Sequence, residues 1–365
     1  MGRKGKLFIS FALLFVAFLL PFLSTLLFFS NWTLISSRRI AADVKHDIST
    51  TGSAACSSIW ISLATFGTRV FKLEPTIRSL MDQSLPADMI LVHVALTSRA
   101  GNVSKDEVLH FATQKFGFCS TFSHTTSTTT TTPLATTPLE YRNQSQPIEE
   151  GMIIHCGRDE QKLWFIFGQD FGPATKVLGT LQLFPASERD ACIISVDDDV
   201  VYDTRLVQVL VANAPSDHGA LGFSCEEIPF ELELVRFFFP AITPLWWHSI
   251  NMQDSSWRFP FDTVVECKGW LQGYQGILYH RSSFSDDVFS MNATMPDGCF
   301  YADDVRLSGY LWSKGIKRYV HPHFESHGCV NCGSQEKNQS DALSLIQDTM
   351  TLRQWPCVQY FDWKS

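Results

Sequence analysis

Three consecutive carboxylates follow directly after a short apolar run in the stretch Ala191–Tyr202, ACIISVDDDVVY. An apolar run of this length that stops abruptly is typical of a buried strand in an α/β sheet. Such sheets bind ligands beyond the carboxyl ends of their strands, so Asp197, Asp198 and Asp199 would lie at a binding site. Adjacent acids repel one another and are costly to bury without a partner. We therefore expect an oxygen-preferring cation, Mg²⁺ or Mn²⁺, as their counter-charge.

The composition fits a large α/β protein and argues against nucleic acid as a partner. The chain has 365 residues, of which 45% are apolar and 18% charged, and its formal net charge is -8. This length is enough for one large domain or two small ones. Binding to nucleic-acid phosphates needs a basic face, which a negative balance does not favour. A metal site with an uncharged or metal-bridged substrate is compatible with that balance.

The N-terminus has the pattern of a membrane anchor. Residues 7–30 contain no charged side chain, and at about 1.5 Å per residue they can cross a hydrocarbon core of about 30 Å. Basic residues precede this run, namely Arg3, Lys4 and Lys6. They predict that residues 1–6 stay cytosolic as a short tail and that the bulk of the chain is lumenal. Residues 31–55 would form a stem, and a cleaved signal peptide is the alternative to the anchor.

Sequons and cysteines also favour a lumenal location. Asn-x-Ser/Thr sequons occur at Asn31, Asn102, Asn143, Asn292 and Asn338. Each can be glycosylated if it is exposed. The 10 cysteines, an even number, suit an oxidising compartment. We expect most of them to form disulfides, whose connectivity the sequence does not determine. Cys329 and Cys332 form a lone CxxC, for which a redox or zinc site is the alternative.

The folded part begins near Cys56 with the pattern of a β-α-β unit. Strands are predicted over Ser58–Thr65 and Ala87–Ala95. Between them, Glu74–Gln83 has apolar residues at helical spacing and a proline in its first turn. This opening argues for a largely parallel sheet with right-handed crossovers.

A Ser/Thr/Pro-rich stretch interrupts the pattern at about residues 120–148. Its composition cannot bury a core, so it should be a disordered or O-glycosylated surface loop. The strand-like Met152–His155 then resumes the sheet, which makes the stretch an insertion within one domain over 56–365. Further along, the segment from Asp170 to Lys176, DFGPATK, opens a predicted helix, and Lys317–Val320 is a predicted strand.

These motifs together resemble the GT-A nucleotide-sugar glycosyltransferases, whose Rossmann-like fold has a mostly parallel central sheet flanked by helices. Asp197–Asp199 at a strand end resembles their DxD motif. Asp303 to Leu311 resembles the ED-x-x-L-x-x-R-L helix of glycosyltransferase family 2 and its relatives. The segments SLATFGTR, PTIRSLMDQS and DFGPATK are similar to family-2-like enzymes too, so the resemblance covers about Ser58 to Phe324. Asp303 in place of Glu, and Tyr310 in place of Arg, depart from the pattern and bear on the diphosphate-binding role of that helix.

The resemblance implies roles on the donor side of a site. Asp199 would be the main metal ligand, and Asp197 would contact the metal, the ribose or the donor sugar. A late histidine often joins the metal in GT-A enzymes, which indicates His321 or His323. The residues expected to contact the nucleotide or its phosphates are Thr65, Thr68, Arg69, Asp170, Lys176, Asp197 and Asp198.

The resemblance also implies a catalytic base. An inverting transfer needs a base for the acceptor hydroxyl, and the second acid of the helix motif maps to Asp304, with Asp303 as its neighbour or an acceptor contact. The helix dipole would keep Asp304 ionised and weakly basic. The structural alternative is helix N-capping by Asp303.

The sequence therefore predicts a metal-dependent glycosyltransferase that uses a nucleotide-diphosphate sugar and Mn²⁺ or Mg²⁺. It would transfer a hexosyl-type or N-acetylhexosaminyl-type sugar, by inversion, to a glycan, glycoprotein or glycolipid. The expected location is the Golgi or endoplasmic reticulum membrane, as a single-pass type II protein. A non-catalytic lumenal glycan-binding module and a metal-dependent phosphoesterase remain alternatives. Retention is the alternative to inversion, and the sequence does not determine the donor sugar, the acceptor or the oligomeric state.

Overall fold

The computed structural model describes residues 56–95, 102–117, 119–123, 152–156, 162–184, 187–226, 264–291, 294–321, 356–361 and 363. No helix within these ranges is both long and apolar enough to cross a membrane. The predicted tail, anchor and stem lie outside the described residues. So do His323, Cys329, Cys332 and every sequon asparagine except Asn102.

The strands and helices that the sequence predicts within these ranges are present to within a few residues, and further elements lie between them. The strands are β1 (Ile59–Phe66), β2 (Met89–Ala95), β3 (Cys119–Ser123), β4 (Met152–Cys156), β5 (Lys162–Ile166), β6 (Cys192–Ser195), β7 (Ala220–Gly222), β8 (Cys225–Glu226), β9 (Val265–Glu266), β10 (Trp270–Leu271), β11 (Ile277–His280) and β12 (Arg318–Val320). The α-helices of the described ranges are α1 (Glu74–Met81), α2 (Lys105–Phe116), α3 (Thr175–Leu183), α4 (Leu206–Ala212), α5 (Asp287–Ser290) and α6 (Asp303–Ser313). Short 3-10 helices span Gly67–Lys72, Gly273–Gln275, Arg281–Ser283 and Asp297–Tyr301.

One large mixed sheet forms the centre of the described fold, in the order β3-β4-β5-β2-β1-β6-β11-β7-β12-β9. Its middle strands β5, β2, β1 and β6 are parallel to one another, which confirms the predicted parallel core. On one flank β4 runs antiparallel to β5, and on the other β11 runs antiparallel to both β6 and β7. β8 and β10 form a separate antiparallel pair.

Both faces of the parallel core are covered, because successive strand residues point to opposite faces. On one face, Ile61, Ile90 and Ile194 belong to a buried cluster that also holds Ile77 of α1 and Leu206 of α4. The neighbouring strand residues Trp60, Leu91 and Ile193 belong to a second buried cluster on the other face. That cluster also holds Val177, Leu178 and Leu181 of α3. The continuous apolar runs of β1, β2 and β6 therefore follow from burial on two sides.

Disulfides tie distant segments of the described chain together. They join Cys56 to Cys192, Cys119 to Cys156, Cys225 to Cys267 and Cys299 to Cys357. The expectation of structural disulfides is thus confirmed for these eight cysteines. Their pairing connects residues between 37 and 136 positions apart, a connectivity that follows only from the three-dimensional fold.

The predicted Ser/Thr-rich insertion starts too early. Residues 120–123 lie in β3, which pairs with β4 in antiparallel register from Cys119 opposite Cys156 to Ser123 opposite Met152. Pairing with a neighbouring strand gives these polar residues the backbone hydrogen bonds that their composition alone does not indicate. Residues 124–151 lie outside the described residues. They connect two paired strands, and an insertion within one domain stays a prediction.

The strand order reverses beside β1. The chain builds β2 and then β5 on one side of β1, and afterwards places β6 on the other side. The loops that leave the carboxyl ends of β1 and β6 therefore diverge, and sheets of this type bind ligands in the crevice at such a reversal.

Candidate functional site

The loop after β6 carries the three predicted acids at this reversal. Ser62 of β1 pairs with Ser195 of β6, so Thr65, three residues on, comes level with Asp198. The Thr65 hydroxyl donates to Asp198 Oδ2 at 2.7 Å. Arg69, in the 3-10 helix after β1, forms an ion pair with Asp198 and places its Nη2 3.1 Å from Asp199 Oδ2. The first βα turn and the acid loop are thus joined.

The three acids have unequal access to solvent. The side chain of Asp198 is 8% exposed, whereas that of Asp199 is 44% exposed and that of Asp197 is 35% exposed. Arg69, itself buried, supplies a positive charge to Asp198, and the divalent cation expected as counter-charge of the three acids stays a prediction. Arg69, predicted as a phosphate contact, is committed to this ion pair. Thr68, another predicted donor contact, lies on the exposed side of the same 3-10 helix.

Burial raises the pKa of Asp198 to about 6, although Arg69 and the Thr65 hydroxyl oppose the shift. We expect the free energy of unfolding of the wild type, relative to an Asp198→Asn variant, to fall as the pH rises from about 4 to about 6. The folded pKa lies above the ordinary value of 3.8, so stabilisation by the bound proton is complete below about pH 4 and is lost through about pH 6. The slope is at most about 1.4 kcal/mol per pH unit. Urea unfolding of both proteins across this range measures it, and a difference independent of pH would contradict the raised pKa.

The second predicted pair of acids lies in the first turn of α6. The backbone N–H of Gly273 donates to both oxygens of Asp304, at 3.0 and 3.1 Å. Asp303 is the first residue of α6, and Ala302 occupies the N-cap position without a side-chain cap. The capping alternative for Asp303 is therefore wrong, since its carboxylate is turned toward a lysine instead.

That lysine is Lys176, and it joins the two acidic segments. Its Nζ lies 2.7 Å from Asp197 Oδ1 and 2.9 Å from Asp303 Oδ2, and its side chain is 6% exposed. Burial alone would lower the pKa of Lys176, but Asp197, Asp303 and Asp304 raise it well above its usual range. The ammonium is thus charged and surrounded by carboxylates, rather than free to reach a phosphate as the sequence had suggested.

A buried polar network holds the backbone of Lys176 in place. The Lys176 carbonyl accepts hydrogen bonds from Ser62 Oγ and, at 3.0 Å, from Thr180 Oγ1. His93 Nε2 lies 3.0 Å from the same Thr180 hydroxyl, and burial lowers the pKa of His93 to about 3, so its ring is neutral. α3 approaches His93 closely at Gly179, where a Cβ would lie 2.6 Å from His93 Nδ1.

Asp170 lies in the turn that leads into α3. Its Oδ1 accepts a hydrogen bond from the Gly172 N–H at 2.7 Å and another from the Thr175 hydroxyl at 3.3 Å. The predicted donor contact is thus engaged in shaping the entry to the helix that carries Lys176.

Asp304 has a raised proton affinity. Burial and the neighbouring Asp303 carboxylate raise its pKa well above its usual range, and Lys176 offsets this only in part. The expectation that the helix dipole keeps Asp304 weakly basic is therefore wrong. Desolvation outweighs the dipole of a helix end here.

His321 lies at the same edge of the sheet as the acid loop, but three strands away from it. Ser195, Ile277, Gly222 and Val320 stand side by side on β6, β11, β7 and β12. At about 4.8 Å per strand, Val320 is about 14 Å from Ser195. His321 directly follows Val320, and the acid loop directly follows Ser195. The predicted metal role of His321 therefore needs a reach of three strands, and His323 lies outside the described residues.

Gly273 is a site residue that the sequence had left undecoded. A Cβ at this position would lie 2.8 Å from Asp304 Oδ1 and 3.1 Å from Lys176 Nζ, so the close approach requires glycine. The sequence signal is the glycine spacing of GWLQGYQG over 269–276, which marks a place where backbone approaches another group. It does not say which group approaches.

No protein-family model matches the sequence, and no curated protein matches it. Among solved structures, the chain is similar to the apo structure of the bifunctional glycosyltransferase WbbM, at 12% identity. The match covers 74% of this chain and 36% of that chain, with a TM-score of 0.27. The chain thus spans about a third of the length of that protein, and a similarity at this level carries no argument about function.

Proposed function

We propose that this chain is a glycosyltransferase that uses a nucleotide-diphosphate sugar as donor. The observation that carries the proposal is the position of Lys176, whose ammonium contacts Asp197 and Asp303 at once. It unites the acid loop after β6 with the start of α6 in one site at the strand-order reversal. A donor site and a base are the two parts that such a transfer requires.

Asp304 is the residue we propose as the base. In the transfer, an acceptor hydroxyl oxygen bonds to the anomeric carbon while the bond from that carbon to the diphosphate oxygen breaks. The electron pair leaves with the nucleoside diphosphate, and the hydroxyl proton passes to the carboxylate. A raised pKa gives Asp304 a greater affinity for that proton, and the Gly273 N–H holds the carboxylate in place. Attack opposite the leaving group inverts the anomeric centre.

The residues of the site also fit Mg²⁺ or Mn²⁺. In the described part of the chain, three cationic side chains, Arg69, Lys176 and Arg306, interact with five carboxylates, which are Asp197, Asp198, Asp199, Asp303 and Asp304. A diphosphate would be repelled here unless a cation entered with it. Asp199, with its exposed carboxylate, and Asp197 would hold the ion.

Phosphate oxygens would complete the coordination of that ion. In the part of the chain that the structure describes, no three His, Cys, Asp or Glu side chains are grouped to hold an ion. Mg²⁺ in phosphate sites usually combines one or two carboxylates with phosphate oxygens and water. Such an ion stabilises negative charge on a leaving diphosphate.

Turnover of nucleotide sugars tests the proposal. The full-length chain is incubated with a panel of nucleotide sugars and Mn²⁺ or Mg²⁺, and released nucleoside diphosphate is measured. We expect release from at least one donor, a large loss in Asp199→Asn, and no loss in Asp106→Asn, which removes an exposed acid in the first turn of α2. Phosphatase or nuclease activity without use of any nucleotide sugar would support the phosphoesterase instead. Glycan binding without any turnover would support the binding module.

We propose the lumenal, type II placement that the sequence predicts, in the Golgi or endoplasmic reticulum, with a glycan or glycoconjugate as acceptor. The disulfides suit an oxidising compartment, and the sequon residue Asn102 is exposed. Glycosidase treatment of the chain made in secretory cells should increase its gel mobility. A chain without any N-glycan would argue against this placement.

A further inference from the structure

The phenol of Tyr202 touches both halves of the candidate site. Its oxygen accepts a hydrogen bond from the Asp197 N–H at 2.8 Å and donates to the Tyr274 carbonyl at 3.2 Å, the nearer of two acceptors, since the Asp197 carbonyl lies 3.5 Å away. Tyr274 lies in the Gly273–Gln275 turn, and the first residue of that turn donates to Asp304. Hydrogen bonds, together with the short backbone segment between Tyr274 and Gly273, therefore connect the backbone of the acid loop to the proposed base.

α1 holds Tyr202 from the opposite side. The Tyr202 N–H donates to Ser79 Oγ at 3.0 Å, and the Thr76 hydroxyl donates to the Asp198 carbonyl at 3.2 Å. Tyr202 is 2% exposed. Its hydroxyl thus has fixed partners on a loop that is itself fixed at the backbone, which is the condition for setting a distance.

Two independent connections then span the crevice. Lys176 connects Asp197 to Asp303 by charge, and Tyr202 connects the Asp197 backbone to the turn beside Asp304 by neutral hydrogen bonds. The charged connection must rearrange when a metal or a phosphate enters, because its carboxylates are the groups that such ligands meet. The neutral connection uses only backbone atoms and a phenol, so it can persist.

We propose that Tyr202 is a positioning residue that fastens the acid loop to the Gly273–Gln275 turn and so sets the spacing between Asp197 and Asp304. Its catalytic consequence rests on the proposed function. The fastening itself does not, so the two can fail separately.

The test compares Tyr202→Phe with Tyr310→Phe. Tyr310 is also a buried tyrosine, 1% exposed. Its hydroxyl donates to Asp287 of α5 and accepts from the N–H of Ser285, just before α5. These partners lie outside the crevice. In the full-length protein, Tyr202→Phe should make the amides of Asp197 and of 273–275 exchange hydrogen about two- to tenfold faster, as expected for the loss of one hydrogen bond. Tyr310→Phe should leave these amides unchanged. Unchanged exchange in Tyr202→Phe would overturn the proposal, and this result does not depend on any enzymatic activity.

The catalytic consequence is read from kinetics with the donor found in the turnover panel. Tyr202→Phe should lower kcat about 10- to 100-fold, because small misplacements of a base have effects of this size, while KM for the donor changes little. In an Asp304→Asn background the same substitution should cause no further loss, since Tyr202 acts through Asp304. An equal further loss in that background would contradict positioning. If the wild type turns over no donor, the proposed function fails and amide exchange alone decides the fastening.

Discussion

Replacing Asp304 by asparagine should reduce kcat for sugar transfer by about 100- to 10,000-fold, the usual contribution of a general base. The amide keeps the shape of the side chain and can still accept the Gly273 N–H, but it cannot take the proton of the acceptor hydroxyl. Donor binding should remain, because the proposed ion ligands Asp197 and Asp199 lie in the loop after β6, whereas Asp304 lies in the first turn of α6. Steady-state kinetics and donor binding by calorimetry measure the two effects separately.

The pH profile provides a second measurement for Asp304. A base must be deprotonated to act, so kcat/KM of the wild type should rise with pH through the raised pKa of Asp304, at a higher pH than an ordinary carboxylate would give. This acid limb should disappear in Asp304→Asn. Asp106→Asn serves as the control and should behave as wild type. An Asp304→Asn enzyme with near-normal kcat would rule out Asp304 as the base.

Replacing Lys176 by methionine should lower the free energy of unfolding by about 3–5 kcal/mol near neutral pH, the range for breaking a buried ion pair. Methionine keeps the aliphatic volume, so the loss reports the charge. Asp303, 13% exposed, contributes the larger share, because Asp197 is 35% exposed and its interaction is partly screened by solvent. Urea denaturation measures the difference.

Lys115→Met is the matched control for this variant. Lys115 Nζ lies 2.7 Å from Glu74 Oε2, the same distance as in the Lys176–Asp197 pair, but its side chain is 37% exposed. A surface pair of this kind is worth at most about 1 kcal/mol. If Lys176→Met costs no more than Lys115→Met, the proposed role of burial is wrong. Asp303→Asn added to Lys176→Met should recover part of the loss, because it removes a carboxylate that has lost its ion pair with Lys176.

The dependence of the Lys176 effect on pH has a definite sign. The folded pKa of Lys176 is raised, so its stabilisation is complete below the unfolded pKa of about 10.4 and is lost only as the pH rises through the folded pKa. The wild type therefore retains it from about pH 5 to 9. In Lys176→Met, Asp197 and Asp303 lose their ion pair with the ammonium, and protonation relieves the remaining repulsion. The deficit of the variant should consequently shrink as the pH falls.

Local pattern was sufficient for the elements that carry the chemistry. The apolar run before Asp197 and the helix start at Asp303 were predicted, and both are present. The β-α-β opening was predicted with boundaries that differ by two residues or fewer at each end. These features depend on the order of side chains within a few residues, through alternation in strands, helical spacing and the proline at a first turn.

The partners of those residues depended on the tertiary structure. Which cation meets which acid is decided by how β1, α3 and α6 converge at the sheet edge. That convergence pairs Arg69 with Asp198 and places Lys176 between Asp197 and Asp303. The roles of Gly273 and Tyr202 also require contacts across 31 and 72 positions of chain.

By itself, the sequence determined the parallel core, the acids at its carboxyl edge and the acidic start of α6, because each follows from residues adjacent in the chain. It also predicts a membrane anchor, a stem and a metal, which remain predictions. Only the tertiary structure decided the disulfide pairing, the burial of Asp198 and Lys176, and the raised pKa of Asp304. Burial and charge pairing are properties of the whole folded environment, since desolvation depends on every segment packed around a group.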